Sequence, residues 1–195
     1  MLPGRDNTHC IACKLYLKSY APFQVPMLVG GKVVYIVGRP PNPRHVSRDY
    51  AYFRYLSMQL GVRRQDMSII PAVLCEPSLV SPGIVARRQC RPMVLDYIPV
   101  VADRKVIAFG ADAAKALTRD ETLVFDDVLG TVMDVPCFGE VLVTYSIGEL
   151  FRHTVNDGDY HHGYHQAIVS HARRFIANEP RQEFPPMTIV KEDAI

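Results

Sequence analysis

The sequence predicts an α/β fold of three layers, with a central four-stranded, mostly parallel sheet between two layers of helices. Three observations carry this. Four short runs are apolar and rich in β-branched residues. Longer segments with apolar residues at three- and four-residue spacing lie between them. Glycine or proline stands at most of the junctions. Strands alternating with helices pair in parallel and need cover on both faces.

Lys32-Val-Val-Tyr-Ile-Val37 is the first strand, stopped by Gly38 and Pro40-Pro41. A helix is expected from Asp49 to Leu60, with Phe53, Leu56 and Leu60 at helical spacing and Gly61 just past its end. Met67 to Leu74 is the second strand. Pro82 to Ile98 is expected to be a helix broken near Pro92. Lys105 to Phe109 is the third strand, and Gly110 turns into a helix from Ala111 to Leu117. Mixed, turn-rich sequence leads to the fourth strand, Val141 to Thr144. A last helix runs from about Tyr160 to Ala177, with Tyr164, Ile168, Ala172 and Phe175 on one face. One domain is expected over residues 1–178, and the proline-rich stretch 179–195 is expected to be an extended tail. Ligands of such sheets bind beyond the carboxyl ends of the strands. The loops 38–48, 74–82 and 144–153 are therefore the places to look for chemistry.

Hydrophobic residues make up 48% and charged residues 22% of 195 positions, a globular balance. No run of about 18 uncharged apolar residues occurs, so no membrane span is expected. The first residues lack the apolar core of a signal peptide, and a cytoplasmic location is expected, in a bacterium or a phage-infected host. The net charge of +2 hides a division. Residues 1–105 hold 15 Lys/Arg against 6 Asp/Glu, and residues 106–195 hold 7 against 14. Between Arg39 and Arg64 six arginines face only Asp49. Such a field attracts a polyanion, or else marks a solvated helix face.

Five cysteines in a reducing compartment argue for metal or catalysis before disulfides. Cys10-Ile-Ala-Cys13 is a C-x2-C pair, and Cys75 and Cys90 form a wider one. Four thiolates suit an iron–sulfur cluster or zinc, and unrelated buried cysteines give the same count. Cys137 reads as a small buried hydrophobe. His161 and His165, four apart on a helix, have metal-ligand spacing, but no carboxylate accompanies them, and they read as surface histidines.

Cys10-x2-Cys13, KVVYIVG ending at Gly38, Cys75, Cys90-Arg91-Pro92 and KVIAFGADAAKAL resemble, in order and spacing, the iron–sulfur (family 4) uracil-DNA glycosylases. The similarity spans roughly residues 9–176 and extends to a branch associated with phage DNA polymerases. It implies a uracil-DNA-glycosylase-like fold and a [4Fe–4S] cluster held by Cys10, Cys13, Cys75 and Cys90. Val141 to Arg152 resembles the family's last strand and DNA-inserting loop. The working positions depart from the pattern. Arg39 stands where the family has an acidic residue, Pro71 stands near its base-reading asparagine, and Ser146 stands at its histidine.

Cleavage of a glycosidic bond leaves an anionic base, which needs a donor or cation beside it, and a water that is oriented or activated. Loss of all three groups points to a DNA-binding accessory of replication or repair rather than to an enzyme. Its partners would be single- or double-stranded DNA, with a DNA polymerase or other replisome protein. The alternatives are a divergent glycosylase, in which Tyr145, Ser146 or His153 takes over, and a protein–protein module without DNA binding. The expected phosphate contacts are Arg39, Arg44, Arg87, Arg88, Arg91 and Arg152.

Overall fold

The structure, a computed structural model of the chain, describes residues 13, 31–40, 46–75, 83–98, 103–152 and 161–178. Cys10, Arg44, His153 and the 179–195 tail lie outside them.

Strand β1 (Val33–Val37) is followed by helix α1 (Val46–Gln59) and strand β2 (Met67–Pro71). Helix α2 (Ile84–Tyr97) leads to strand β3 (Lys105–Phe109) and helix α3 (Ala111–Thr118). The short helix α4 (Phe125–Val128) precedes strands β4 (Val132–Val135) and β5 (Gly139–Thr144). Helices α5 (Ile147–Leu150) and α6 (His162–Ile176) complete the described order. The sheet runs β2-β1-β3-β5-β4. The first four strands of that order are parallel, and β4 is antiparallel to β5. The α/β expectation holds, with one strand more than the sequence suggested.

β4 escaped notice for a physical reason. It is an edge strand with Asp134 exposed in its middle, held between Gly130 and Pro136, so it lacks the continuous apolar signature of a central strand. Pro71 also fits its place. β2 is the opposite edge, where a residue without an N–H costs no ladder bond to a further strand.

Pleating divides the sheet's side chains between two cores. Val34, Ile36, Ile70, Val106, Ala108, Val141 and Val143 meet α2 and α3 through Ala86, Cys90, Val94, Ala113, Ala114 and Leu117. Val33, Tyr35, Val37, Ile69, Ile107, Phe109 and Leu142 meet α1 and α6 through Phe53, Leu56, Ile168, Ala172 and Phe175. On the second side Tyr35 stacks on Phe53 and meets Phe109 edge-on. Its hydroxyl lies 3.0 Å from Ser57 Oγ. Burial pushes the Tyr35 phenol up to about 12, so it stays protonated and ties α1 to β1.

α2 runs unbroken through Pro92, against expectation. Pro92 faces solvent, so water can serve the Arg88 carbonyl that has lost its helical donor.

Candidate functional site

Register brings four strand ends into one line. Pro71 lies opposite Val37, Val37 opposite Phe109, and Phe109 opposite Thr144. The segments leaving β1, β3 and β5 therefore start side by side on one edge, and two glycines let them interlock. Gly110 has φ +86, and a Cβ there would fall 2.5 Å from Ser146 Cβ. A Cβ on Gly38 would fall 2.8 Å from Asp112 Cβ. Gly110 N–H donates to Thr144 carbonyl at 2.8 Å, and Ala72 N–H to Val37 carbonyl at 2.7 Å.

Ser146, Pro71, Arg39 and Tyr145 are among the described residues at this edge. Ser146 Oγ accepts from Glu149 N–H at 3.0 Å and so caps α5. Pro71 is buried and has no donor. Arg39 is exposed, and among the described residues it forms no ion pair. Tyr145 is half-buried, edge-on to Tyr164 at 4.8 Å and nearly parallel to His171 at 6.4 Å. Burial, with Tyr164 and Asp126 nearby, raises its phenol above the ordinary range, so it keeps its proton. Asp112 is the carboxylate that comes beside Gly38, a placement that sequence order conceals because α3 delivers it.

The loop after β5 is fixed from below. Arg48 lies over the Phe151 ring at 4.1 Å and pairs with Asp49 at 3.1 Å. Phe151 also meets Tyr52 edge-on. Arg152 is exposed and pairs with Glu149 at 2.8 Å.

The expected phosphate contacts divide into two kinds. Arg39, Arg88 and Arg152 are exposed. Arg87 and Arg91 turn inward, which corrects their reading as rim residues. Arg87 donates to Asp112 Oδ1 at 2.9 Å and grips Glu121 with two further nitrogens. Arg91 is 6% exposed. Its guanidinium donates to the Ala116, Leu117 and Pro136 carbonyls and lies over Phe138. Arg91 thereby satisfies the carbonyls of buried Ala116 and Leu117, whereas the carboxylates that Arg87 pairs with are partly exposed.

Cys90 is buried on the inner face of α2, and Cys75 is buried four residues beyond β2. Cys13 is half-buried and packs against the apolar core that contains Cys90. Among the described residues no three His, Cys, Asp or Glu side chains form a metal-holding group. Cys137 is exposed with φ +73, not a buried hydrophobe. It occupies the turn between β4 and β5, where a left-handed residue faces solvent. The histidine reading is corrected as well. His165 is buried, with Nδ1 3.2 Å from Tyr52 Oη and its ring stacked on Tyr55, which leaves it poorly placed to ligate a metal with His161. No helix among the described residues is long and apolar enough to cross a membrane.

Among curated proteins, the chain is similar to one described as a type-4 uracil-DNA glycosylase from Pyrobaculum aerophilum. The two are 29% identical over 173 residues, covering 78% of this chain and 84% of that protein. No family model matches the chain. The similarity and the layered sheet agree with a uracil-DNA-glycosylase-like fold.

Proposed function

We propose that this chain is a DNA-binding accessory of replication or repair, built on a uracil-DNA-glycosylase-like fold and lacking efficient base excision. The observation that carries the reading is Ser146. It stands at the exit of β5, where the resemblance implies a charge-stabilising histidine, and its hydroxyl is occupied in capping α5. Arg39 and Pro71 stand at the neighbouring exits, and the acid and imidazole described nearby are engaged in the fold: Asp112 pairs with Arg87, and buried His171 bonds Thr144. Arg39, Arg88 and Arg152 remain as exposed cations that would meet phosphates.

A gel-shift assay and an abasic-site assay on uracil-containing single- and double-stranded DNA test this together. The expected result is binding that weakens with salt, and no uracil release above background. Efficient release would show the reading to be wrong. It would favour instead a divergent glycosylase in which the protonated Tyr145 donates to the base, and Tyr145→Phe would then abolish the release.

We further propose that Cys10, Cys13, Cys75 and Cys90 hold a [4Fe–4S] cluster. The packing of Cys13 against the core that contains Cys90, and the burial of Cys75, support a thiolate set. Anaerobically purified protein is expected to be brown, with about four irons per chain. Cys90→Ser is expected to lose iron and solubility together, because ligation contributes folding energy. One zinc per chain without iron would refute the cluster.

A further inference from the structure

One of the two helical layers is one-sided in charge. α6 contains no carboxylate, and α1 contains only Asp49, which is buried beside Arg48. Just beyond α1, Asp66 pairs with Arg63 at 2.6 Å. Against these stand Arg54, Arg64 and Arg173, all exposed. Neither Arg54 nor Arg64 forms an ion pair among the described residues. The opposite layer and its connections mix the signs: Asp112, Asp120, Glu121, Asp126 and Asp127 stand with Arg87, Arg88, Arg91, Lys115 and Arg119.

The basic face is continuous. α1 and α6 run side by side in the same direction. Tyr52 and Tyr55 meet His165 near one end, and Arg173 donates to the Gln59 carbonyl at the other. On the outer side of α1, Arg54, Tyr55 and Met58 point outward, and Met58 is 77% exposed. Tyr55 is held by His165 stacked at 5.4 Å and by Gln59 donating to its hydroxyl at 3.1 Å, yet its ring is 38% exposed. Such a ring is a rigid platform set among cations.

We propose that the outer face of α1, with the adjoining end of α6, is a track for single-stranded nucleic acid. Arg54, Arg64 and Arg173 take phosphates, and Tyr55 stacks on a base. The inference extends the DNA-binding reading to a face away from the strand ends, and it rests on that reading. The negative partner follows from a face that has no free carboxylate among its described residues. The single strand follows from Tyr55, since a duplex hides its base faces and a single strand offers them to an aromatic ring. At about 1.5 Å per residue, α1 offers a path about 20 Å long.

Fluorescence anisotropy over a salt series tests the track on full-length protein, with a labelled single-stranded oligonucleotide, the same strand bearing abasic sites, and polyglutamate as a competitor. The double variant Arg54→Ala/Arg64→Ala is expected to flatten the salt dependence by about 1.4, about 0.7 per lost contact. Each lost contact therefore forgoes roughly a fivefold gain in affinity between 1 M and 0.1 M salt. Tyr55→Leu is expected to weaken binding at unchanged slope, and to have no effect on the abasic strand. All three positions are exposed, so the thermal midpoint should hardly move. If these variants bind like the parent while Arg39→Ala/Arg152→Ala binds weakly, the track is wrong and the strand-end reading stands. If the face variants bind weakly and the strand-end pair does not, the track is the main footprint. A Tyr55→Leu effect that persists on the abasic strand, with polyglutamate competing as well as DNA, would overturn the track in favour of an acidic protein partner. Absence of binding by the parent at low salt would end both readings.

Discussion

Replacing Arg91 by Ala is expected to lower stability by about 2 to 5 kcal/mol, one of the largest losses available outside the apolar core. The last carbonyls of a helix lack internal donors, and near the end of α3 Ala116 and Leu117 are buried. Its Lys115 carbonyl accepts from Arg119 N–H, where Arg119 turns left-handed at φ +63. The next two carbonyls, Ala116 and Leu117, accept from Arg91, and the guanidinium also reaches Pro136 before β5. One side chain on α2 therefore closes α3 and ties it to the β4–β5 turn. A cation at a helix carboxyl end is favourable in itself. Burial, then Arg119, lowers the Arg91 pKa from its ordinary value, which is already far above neutrality. Truncation would orphan two buried carbonyls at about 1 to 3 kcal/mol each. Lys would recover only part: the two α3 carbonyls share Nη1, but an ammonium has no second nitrogen for Pro136 and no plane to lie over Phe138. Urea unfolding should show the midpoint ordered parent, then Lys, then Ala. The folded fraction should keep the parent's nucleic-acid affinity. An Ala variant as stable as the parent would show that water serves those carbonyls instead.

Arg91 also shows where sequence reading reaches its limit. Three arginines around Cys90 look alike in the sequence, yet only Arg88 is exposed. The other two satisfy carbonyls and carboxylates delivered by α3, the segment after it and the β4–β5 turn, and sequence spacing does not reveal those partners. The parallel sheet was legible because its strands are buried on both faces and read as unbroken apolar runs. β4 was not, because an edge strand needs only half of that pattern. The strand-end edge was legible from the alternation of strands and helices, but the engagement of its side chains, such as Ser146 Oγ turning to cap α5, was not. The run of arginines from 39 to 64 pointed to a polyanion. Its sorting into Arg48 on Phe151, Arg63 on Asp66, and the outward Arg54 and Arg64 came only with the fold.

Stability is expected to fall by about 3 kcal/mol as pH drops from about 6.5 to 4, through His171 alone. The imidazole lies in the core beside the end of β5. Its Nδ1 is 3.2 Å from Thr144 Oγ1, Tyr145 stacks against the ring, and Gly130 leaves room for Nε2, since a Cβ there would fall 2.9 Å away. Burial, and then Arg174, lowers its pKa from 6.5 to about 4. Between those values the unfolded chain binds a proton that the folded one refuses. The folded state is thus favoured fully above pH 6.5, and the advantage disappears as pH approaches 4. His165 adds in the same direction, its pKa lowered by burial and by His162. The Glu121 carboxyl, held low by its bond from Arg87, begins to lose its contribution only near pH 4.5, at the acid end of the window. Urea midpoints measured from pH 7.5 to 4 should decline for the parent. His171→Gln, which keeps a polar group near Thr144 but does not titrate, should be less stable at pH 7.5 and lose much less on acidification. Parallel pH profiles for the two proteins would mean that folding leaves the His171 pKa unchanged, and that the acid sensitivity arises elsewhere.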